Sequence, residues 1–342
     1  MADYALLQEL CEARGTSGRE EAVREILLRE ASPYGVCRVD GLGNLIVEKK
    51  GARQPKEKLM LSAHMDEVGL IITRITSEGY LRFDTVGGID EKILPGAAVE
   101  IGENAVAGVI GAKPIHLLQE AERNTPLKTD QLMIDIGAES REEAEQAVCC
   151  GDMATFCSSF SQYQGSITGR ALDDRAGCAL LIELLRRPLP WDMTFAFLVQ
   201  EEVGLRGAKA AAFAVAPTSA IIVETTTAAD VAGVPEEKKV CYLGKGPVIS
   251  FMDRSTIYDK DYYRMAFRLA EENNIPCQPK LAVAGGNDAG AIHTSREGVR
   301  TLALSLPCRY LHSPVGRICS SDYEVAVSLL ERLACRICQE SE

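Results

Sequence analysis

The sequence predicts an open α/β sheet interrupted by a small inserted β-rich unit, and three observations carry that expectation. Apolar runs at Lys58–Ala63, Met193–Val199, Ser219–Val223 and Arg300–Leu306 read as buried strands. Helical periodicity recurs between and around them, at Val23–Leu28, Cys178–Leu185, Ala208–Val215 and Asp259–Asn273. Between these two textures, residues 69–164 break into short β-rich pieces punctuated by glycine, such as Gly69–Thr73, Ala98–Gly102 and Val106–Gly111. Short strands at that spacing suggest a small barrel or sandwich, inserted within the α/β pattern and not appended to it. The expected division is therefore 1–68 with 165–342 for the α/β unit and 69–164 for the insert.

The remaining elements follow in order. Residues 5–14 carry a short helix pattern. Ser17-Gly-Arg-Glu20 reads as a capping box opening the helix through Val23, Ile26, Leu27 and Leu28. Val36–Val39 and Asn44–Val47 read as a hairpin with Asp40–Gly43 as its turn. Within the insert, only Ser140–Cys149 reads as a helix. Cys241–Met252 looks like irregular β, and its Gly244-Lys-Gly246 is too short for a dinucleotide fingerprint. Residues 321–340 form a closing helix.

Composition narrows the function classes. A net charge of −12 argues against nucleic acid as a partner, because phosphate binding needs clustered Lys and Arg. No apolar run approaches the roughly 20 residues of a membrane span, and the acidic start of the chain does not read as a signal peptide. Twelve cysteines scattered through apolar segments suggest buried thiols in a reducing cytoplasm. Cys335-Arg-Ile-Cys338 has no second pair nearby and reads as helix packing.

Residues of metal-binding type recur where the strands end, which is where open α/β sheets place their ligands. His64-Met-Asp66 closes one strand; the imidazole can ligate while the carboxylate holds its other nitrogen. Asp173-Asp174 ends an extended piece before a helix. One of the two suffices as a helix cap, which leaves a carboxylate able to bridge two cations. Glu201-Glu202 follows a buried strand and precedes a Gly-rich turn; neighbouring side chains there point different ways, so one can bind metal and the other move protons. Glu224 ends a fourth strand, and His312 lies just past a fifth. Each alone has a bland reading as a cap or a satisfied core group. Together, two histidines and three carboxylates without a thiol suit paired divalent ions such as zinc, cobalt or manganese. His116 and His293 read as surface histidines.

The segments His64–Gly69, Ala171–Arg175, Gln200–Ala208, Gly285–Gly290 and Arg309–Pro314 together resemble the M42 metallo-aminopeptidases, the glutamyl and tetrahedral aminopeptidase group. The resemblance spans nearly the whole chain in the right order. It implies a zinc-exopeptidase-like three-layer fold, helices on both faces of the sheet, with a small β-barrel-like insert that mediates dimerisation. It implies two divalent ions per subunit, usually zinc or cobalt: one on His64, Asp173 and Glu224, the other on Asp173, Glu202 and His312. It implies Glu201 as general base and then acid, Asp66 orienting His64, and dimers assembling into a hollow dodecamer that admits short peptides with a free N-terminus. Glu224 departs from the family, which commonly has aspartate there, and Asn287 replaces a more usual threonine. The competing readings are a related di-metal carboxypeptidase or deacylase, a glycanase, and a non-catalytic assembly protein.

Overall fold

The structure, a computed structural model, describes residues 4–120 and 125–340. The chain opens with α1 (Ala5–Glu12) and α2 (Glu21–Ala31), then strands β1 (Val36–Val39), β2 (Leu45–Lys49) and β3 (Leu59–His64). Six strands follow: β4 (Gly69–Ile75), β5 (Leu81–Val86), β6 (Ala98–Ile101), β7 (Val106–Gly111), β8 (Met133–Asp135) and β9 (Met153–Phe156), with the one-turn α3 (Arg141–Ala144) before the last. Next come β10 (Ser161–Tyr163), β11 (Ser166–Gly169), α4 (Leu172–Leu185), β12 (Met193–Leu198), α5 (Arg206–Val215) and β13 (Ser219–Thr227). The chain ends through β14 (Val248–Ile249), α6 (Lys260–Glu272), β15 (Gln278–Pro279), α7 (Ala289–Ile292), β16 (Arg300–Cys308), β17 (Gly316–Cys319) and α8 (Ser320–Glu340).

Eight strands form the main sheet in the order β1-β2-β12-β3-β13-β16-β14-β15, with β12, β3, β13 and β16 parallel. Those four strands are buried almost throughout and mostly apolar because both of their faces are covered. Leu59, Leu61 and Ala63 of β3, with Phe195 and Phe197 of β12 and Ile221 and Val223 of β13, face a core that includes α1, α2, α4, α6 and α8. The alternate residues Met60, Ala196, Leu198, Ala220 and Ile222 face a smaller core against α5 and α7. The period-two alternation thus separates two buried layers where a half-exposed sheet would separate buried from wet. Helices on both faces give the expected three-layer α/β architecture. Small residues Ala208, Ala211 and Ala212 let α5 lie close on its face.

The strands β4-β5-β8-β7-β6-β9 close into a barrel, as the glycine-punctuated texture predicts. Closure removes the sheet edges and encloses Leu70, Ile72, Phe83, Val99, Ile110 and Ile134. The strand β10, inside the segment expected for the insert, pairs with β11, which pairs in turn with β17, in a small sheet outside the barrel.

Several local expectations shift. The Ser140–Cys149 helix shortens to Arg141–Ala144; turns follow, and Gly151 takes a φ of 94° that helix forbids. The helix expected from Cys178 begins at Leu172, with Asp173 and Asp174 held in non-helical dihedrals at its start. The strand expected to end at Glu224 continues to Thr227, because β16 pairs with it to the end while β3 stops pairing at Ile222. The cysteines are all free, but Cys149, Cys150 and Cys157 are exposed and only five of the twelve are buried. No helix among the described residues is long and apolar enough to cross a membrane.

Candidate metal centre

Parallel strands carry their C-terminal ends to one rim, and that register assembles the site. Leu198, the last residue of β12, pairs with His64, the last of β3. Glu224 lies beside Ser305 in the β13–β16 ladder, and His312 follows four residues after β16 ends. Asp173 and Asp174 enter from the start of α4 below the same rim.

The seven candidate residues meet. His64 Nε2 stands 3.4 Å from Asp173 Oδ1 and 3.8 Å from Glu224 Oε2. His312 Nε2 stands 3.5 Å from Asp173 Oδ2 and 3.3 Å from Glu202 Oε1. The two oxygens of Asp173 therefore face the two histidines, one each. Asp66 Oδ1 faces the other nitrogen of His64 at 3.4 Å. The second nitrogen of His312, Nδ1, donates to the carbonyl of Gly88 at 2.8 Å, which assigns its proton and leaves Nε2 unprotonated in the neutral ring. That carbonyl lies just past β5, so the barrel side of the molecule touches the site here.

Asp66 has further partners. Its carboxylate accepts from Ser17 Oγ at 2.6 Å and from the backbone N–H groups of Glu201 at 2.9 Å and Glu202 at 3.1 Å. The Ser17 hydroxyl is thus turned toward Asp66, and Glu20 stands at the N-cap of α2 without capping it through its side chain. The expected capping box does not form as such; Glu20 Oε1 accepts instead from Gly18 and Gln200.

Sequence reasoning passed over two acids. Asp174 is fully buried, spends Oδ1 on the N–H of Gly177, and leaves Oδ2 without a partner. Asp288 is fully buried with both oxygens unpartnered. Asp174 lies in the first turn of α4 and Asp288 just before α7, positions that look like caps in the sequence. His116 is exposed beside the barrel, and His293 binds the carbonyl of Ala289 through Nδ1, so neither joins the site.

The electrostatics describe a cluster short of positive charge. Burial, reinforced by Asp288, Glu202 and Asp173 against the attraction of His64, pushes the Glu201 carboxyl well above its usual range. Burial does the same to Glu224 and Asp174, raises Glu202, and brings Asp288 up to about 7. In the opposite sense, Asp173 and Glu202 raise His312 to about 11. Burial opposes charge on His64, yet Asp173 and Asp66 hold its imidazolium form well above the ordinary value. Asp173, despite burial, is drawn down by His312 and His64.

The donor set fits divalent ions. Ligand atoms of His64, Asp174 and Glu224 lie within 4.8 Å of one another, as do those of His64, Asp173 and Glu202. Ligands bonded at about 2.1 Å around a tetrahedral ion stand about 3.4 Å apart, close to the separations above. Buried Asp173 Oδ1, Asp174 Oδ2 and Glu224 Oε1 accept no hydrogen bond. An unpartnered buried carboxylate oxygen is costly unless a cation meets it. A cavity of about 280 Å³ opens from these groups, lined further by Thr225–Thr227, Lys280 and Asn287.

Comparison with known proteins agrees with this geometry. The M42 glutamyl aminopeptidase family model matches residues 43–329. A lysyl aminopeptidase of Pyrococcus furiosus is 34% identical, covering 97% of this chain and 98% of its own. The crystal structure of a TET aminopeptidase from a marine sediment thaumarchaeon superposes with a TM-score of 0.94 at 36% identity, covering 98% of this chain and 96% of that one. The Pyrococcus horikoshii TET1 peptidase, described as assembling into a tetrahedron or a large octahedral shell, superposes with a TM-score of 0.85 at 41% identity, over 96% and 98% of the two chains. With this fold, this rim and these relatives, the chain belongs to the M42 glutamyl aminopeptidase family and is a metallo-aminopeptidase.

Proposed function

We propose that the enzyme releases N-terminal residues from short peptides at a centre for two divalent ions, zinc or cobalt, held by His64, Asp173, Glu202, Glu224 and His312, with Glu201 moving the protons. Asp173 carries this reading: its two oxygens face the two histidines at 3.4 and 3.5 Å, as a carboxylate shared between neighbouring ions would. Asp174 belongs with His64 and Glu224 as an additional oxygen donor. Bound there, the ions would act as Lewis acids toward the scissile carbonyl and lower the pKa of a nearby water. Glu201 lines the same cavity, and burial leaves its carboxyl ready to take a proton. It would accept the proton of the attacking water and pass it to the leaving amine, as a general base and then acid. Asp66 keeps His64 oriented and fixes the backbone of the two glutamates.

The far wall of the cavity bears on substrate choice. Lys280 is 8% exposed, donates one hydrogen bond to the carbonyl of Ala284 at 2.8 Å, and forms no ion pair with a described residue. A nearly buried ammonium that feels the charges of Asp253 and Glu224 but pairs directly with neither favours an anionic group on the bound peptide. An N-terminal glutamate or aspartate would supply it.

The barrel segment, residues 69–164, is read as the unit through which copies associate, in line with the shells described for the TET1 peptidase. Twelve free cysteines suit a reducing, cytoplasmic setting.

The test is a panel of aminoacyl-anilides and N-blocked peptides given to chelator-treated protein with single metals restored. Cleavage confined to free N-termini, returning with zinc or cobalt, supports the aminopeptidase reading. Cleavage of N-blocked peptides from the C-terminal end would assign the centre to a carboxypeptidase. No return with any divalent ion would remove the metal from the chemistry.

A further inference from the structure

Four consecutive backbone N–H groups in the loop that carries the two glutamates are held by side chains, none by a strand. Val199 N–H donates to Asn44 Oδ1 at 2.9 Å and Gln200 N–H to Glu20 Oε1 at 3.2 Å. Glu201 and Glu202 donate to the two oxygens of Asp66. The donors come from β12's exit. The acceptors come from three distant places: the start of α2, the turn before β2, and the exit of β3.

The loop needs such anchors. It leaves the sheet through Gln200 at a φ of 55°, a left-handed conformation that is unfavourable for a residue with a Cβ. Its carbonyls are spent forward, on the N–H groups of Gly204 to Gly207, so they tie it only to itself. Asn44 is fully buried and locked in turn by Asp40 Oδ2 at 2.7 Å and the carbonyl of Gly207 at 3.0 Å. Gly207 must stay bare, because an added Cβ would meet Val199 O at 2.3 Å and Asn44 Oδ1 at 2.4 Å. Glu20 is 2% exposed and reaches the loop from a segment itself bridged to the His64 side, through Thr16 and Glu67. Among the described residues, Glu20 Oε1 accepts hydrogen bonds from Gly18 and Gln200 and from none of the ligand-type side chains.

We infer that Glu20, with Asn44, is a positioning residue for the reaction: these two side chains hold the backbone just before Glu201 and so set where both glutamates point. A displacement of about 1 Å in a catalytic group can cost on the order of 100-fold in rate. Glu20→Ala is therefore expected to lower kcat of the metal-loaded enzyme by about 10- to 100-fold while leaving KM within about threefold. Glu20→Gln retains the acceptor oxygen and is expected to recover most of that loss.

The inference rests on the proposed role of Glu201, and Glu201→Gln separates the two. A fully active Glu201→Gln enzyme would sink that role whatever Glu20 does; an inactive one beside a fully active Glu20→Ala enzyme would sink only the positioning. Equal losses in Glu20→Ala and Glu20→Gln would also overturn it, since the acceptor would then not be what matters. Hydrogen exchange on the unaltered protein gives a reading that no folding failure can spoil. The amides of residues 199–202 should exchange slowly although no backbone carbonyl receives them; exchange at the rate of an open loop would overturn the inference.

Discussion

The barrel and the rim of the main sheet sit side by side and are satisfied in opposite ways. Inside the barrel, Leu70, Ile72, Ile110 and Ile134 pack against one another with no ionisable group among them. At the rim, Asp174, Glu224 and Asp288 are buried and present oxygens that no proton donor meets. A fold gains nothing from a set of unpartnered carboxylates, whereas an apolar barrel interior stabilises by its burial alone. The difference teaches that the barrel is complete as a protein and the rim is complete only with something added. Every variant below should fall on one side of that line: losing stability without chemistry in the barrel, or chemistry without much stability at the rim.

The largest effect is expected for Glu201→Gln. It removes the titrating group while keeping its shape, so kcat should fall by about 10²- to 10⁴-fold with folding intact. Activity within a few-fold of the parent enzyme would end the assignment of Glu201. On the other side, Ile134→Ala opens a cavity in the barrel and should cost about 2–5 kcal/mol in denaturant unfolding. Turnover per folded site should stay unchanged; a matching loss of kcat would show that the two regions are less separable than their chemistry suggests.

Lys280→Met sharpens the comparison within the site. A charge-assisted contact is worth about 1.5–3 kcal/mol, so kcat/KM for glutamyl and aspartyl anilides should drop about 10- to 100-fold. Leucyl and alanyl substrates should be unaffected or improve. A uniform drop across the panel would mean that Lys280 supports the cavity wall and does not select the substrate. Glu224→Asp is smaller still. It shortens the side chain by one methylene and keeps the carboxylate, so metal affinity measured by titration calorimetry should be kept or improve. Collapse of binding would show that the site depends on the longer reach of glutamate and would end this expectation.

Much of this was legible in the sequence, for a physical reason. Strands buried on both faces are continuously apolar, so β3, β12, β13 and β16 announce themselves, and polar residues at their ends stand out by contrast. His64, Glu202 and His312 were readable in that way. Asp174 and Asp288 were not, because an aspartate before a helix is what a cap looks like, and only burial without a partner tells the two apart. Ser17 and Glu20 misled more actively. Their spacing matches a local motif, yet their hydrogen bonds go to Asp66 and to Gln200. A motif of local spacing carries no information about partners that lie far along the chain.

The pH dependence of the metal-free protein tests the rim as a whole. Burial raises the carboxyls of Glu201, Glu202, Glu224 and Asp174, so the folded state keeps protons that the unfolded chain releases above about pH 4.5. Stability then declines as pH rises through the neutral range. His312 acts in the same sense: its contribution is whole below the ordinary histidine value of about 6.5 and fades as pH climbs toward about 11. Asp173 opposes them, but being lowered, its contribution is lost only in strong acid, outside this window. Metal-free protein should therefore melt a few degrees higher at pH 6 than at pH 8. Zinc or cobalt should reverse the order, because protons compete with a cation for the same oxygens and nitrogens. A melting temperature that rises with pH in chelator, or one that metal leaves unchanged, would mean the rim is an ordinary solvated edge whose acids have found partners of their own.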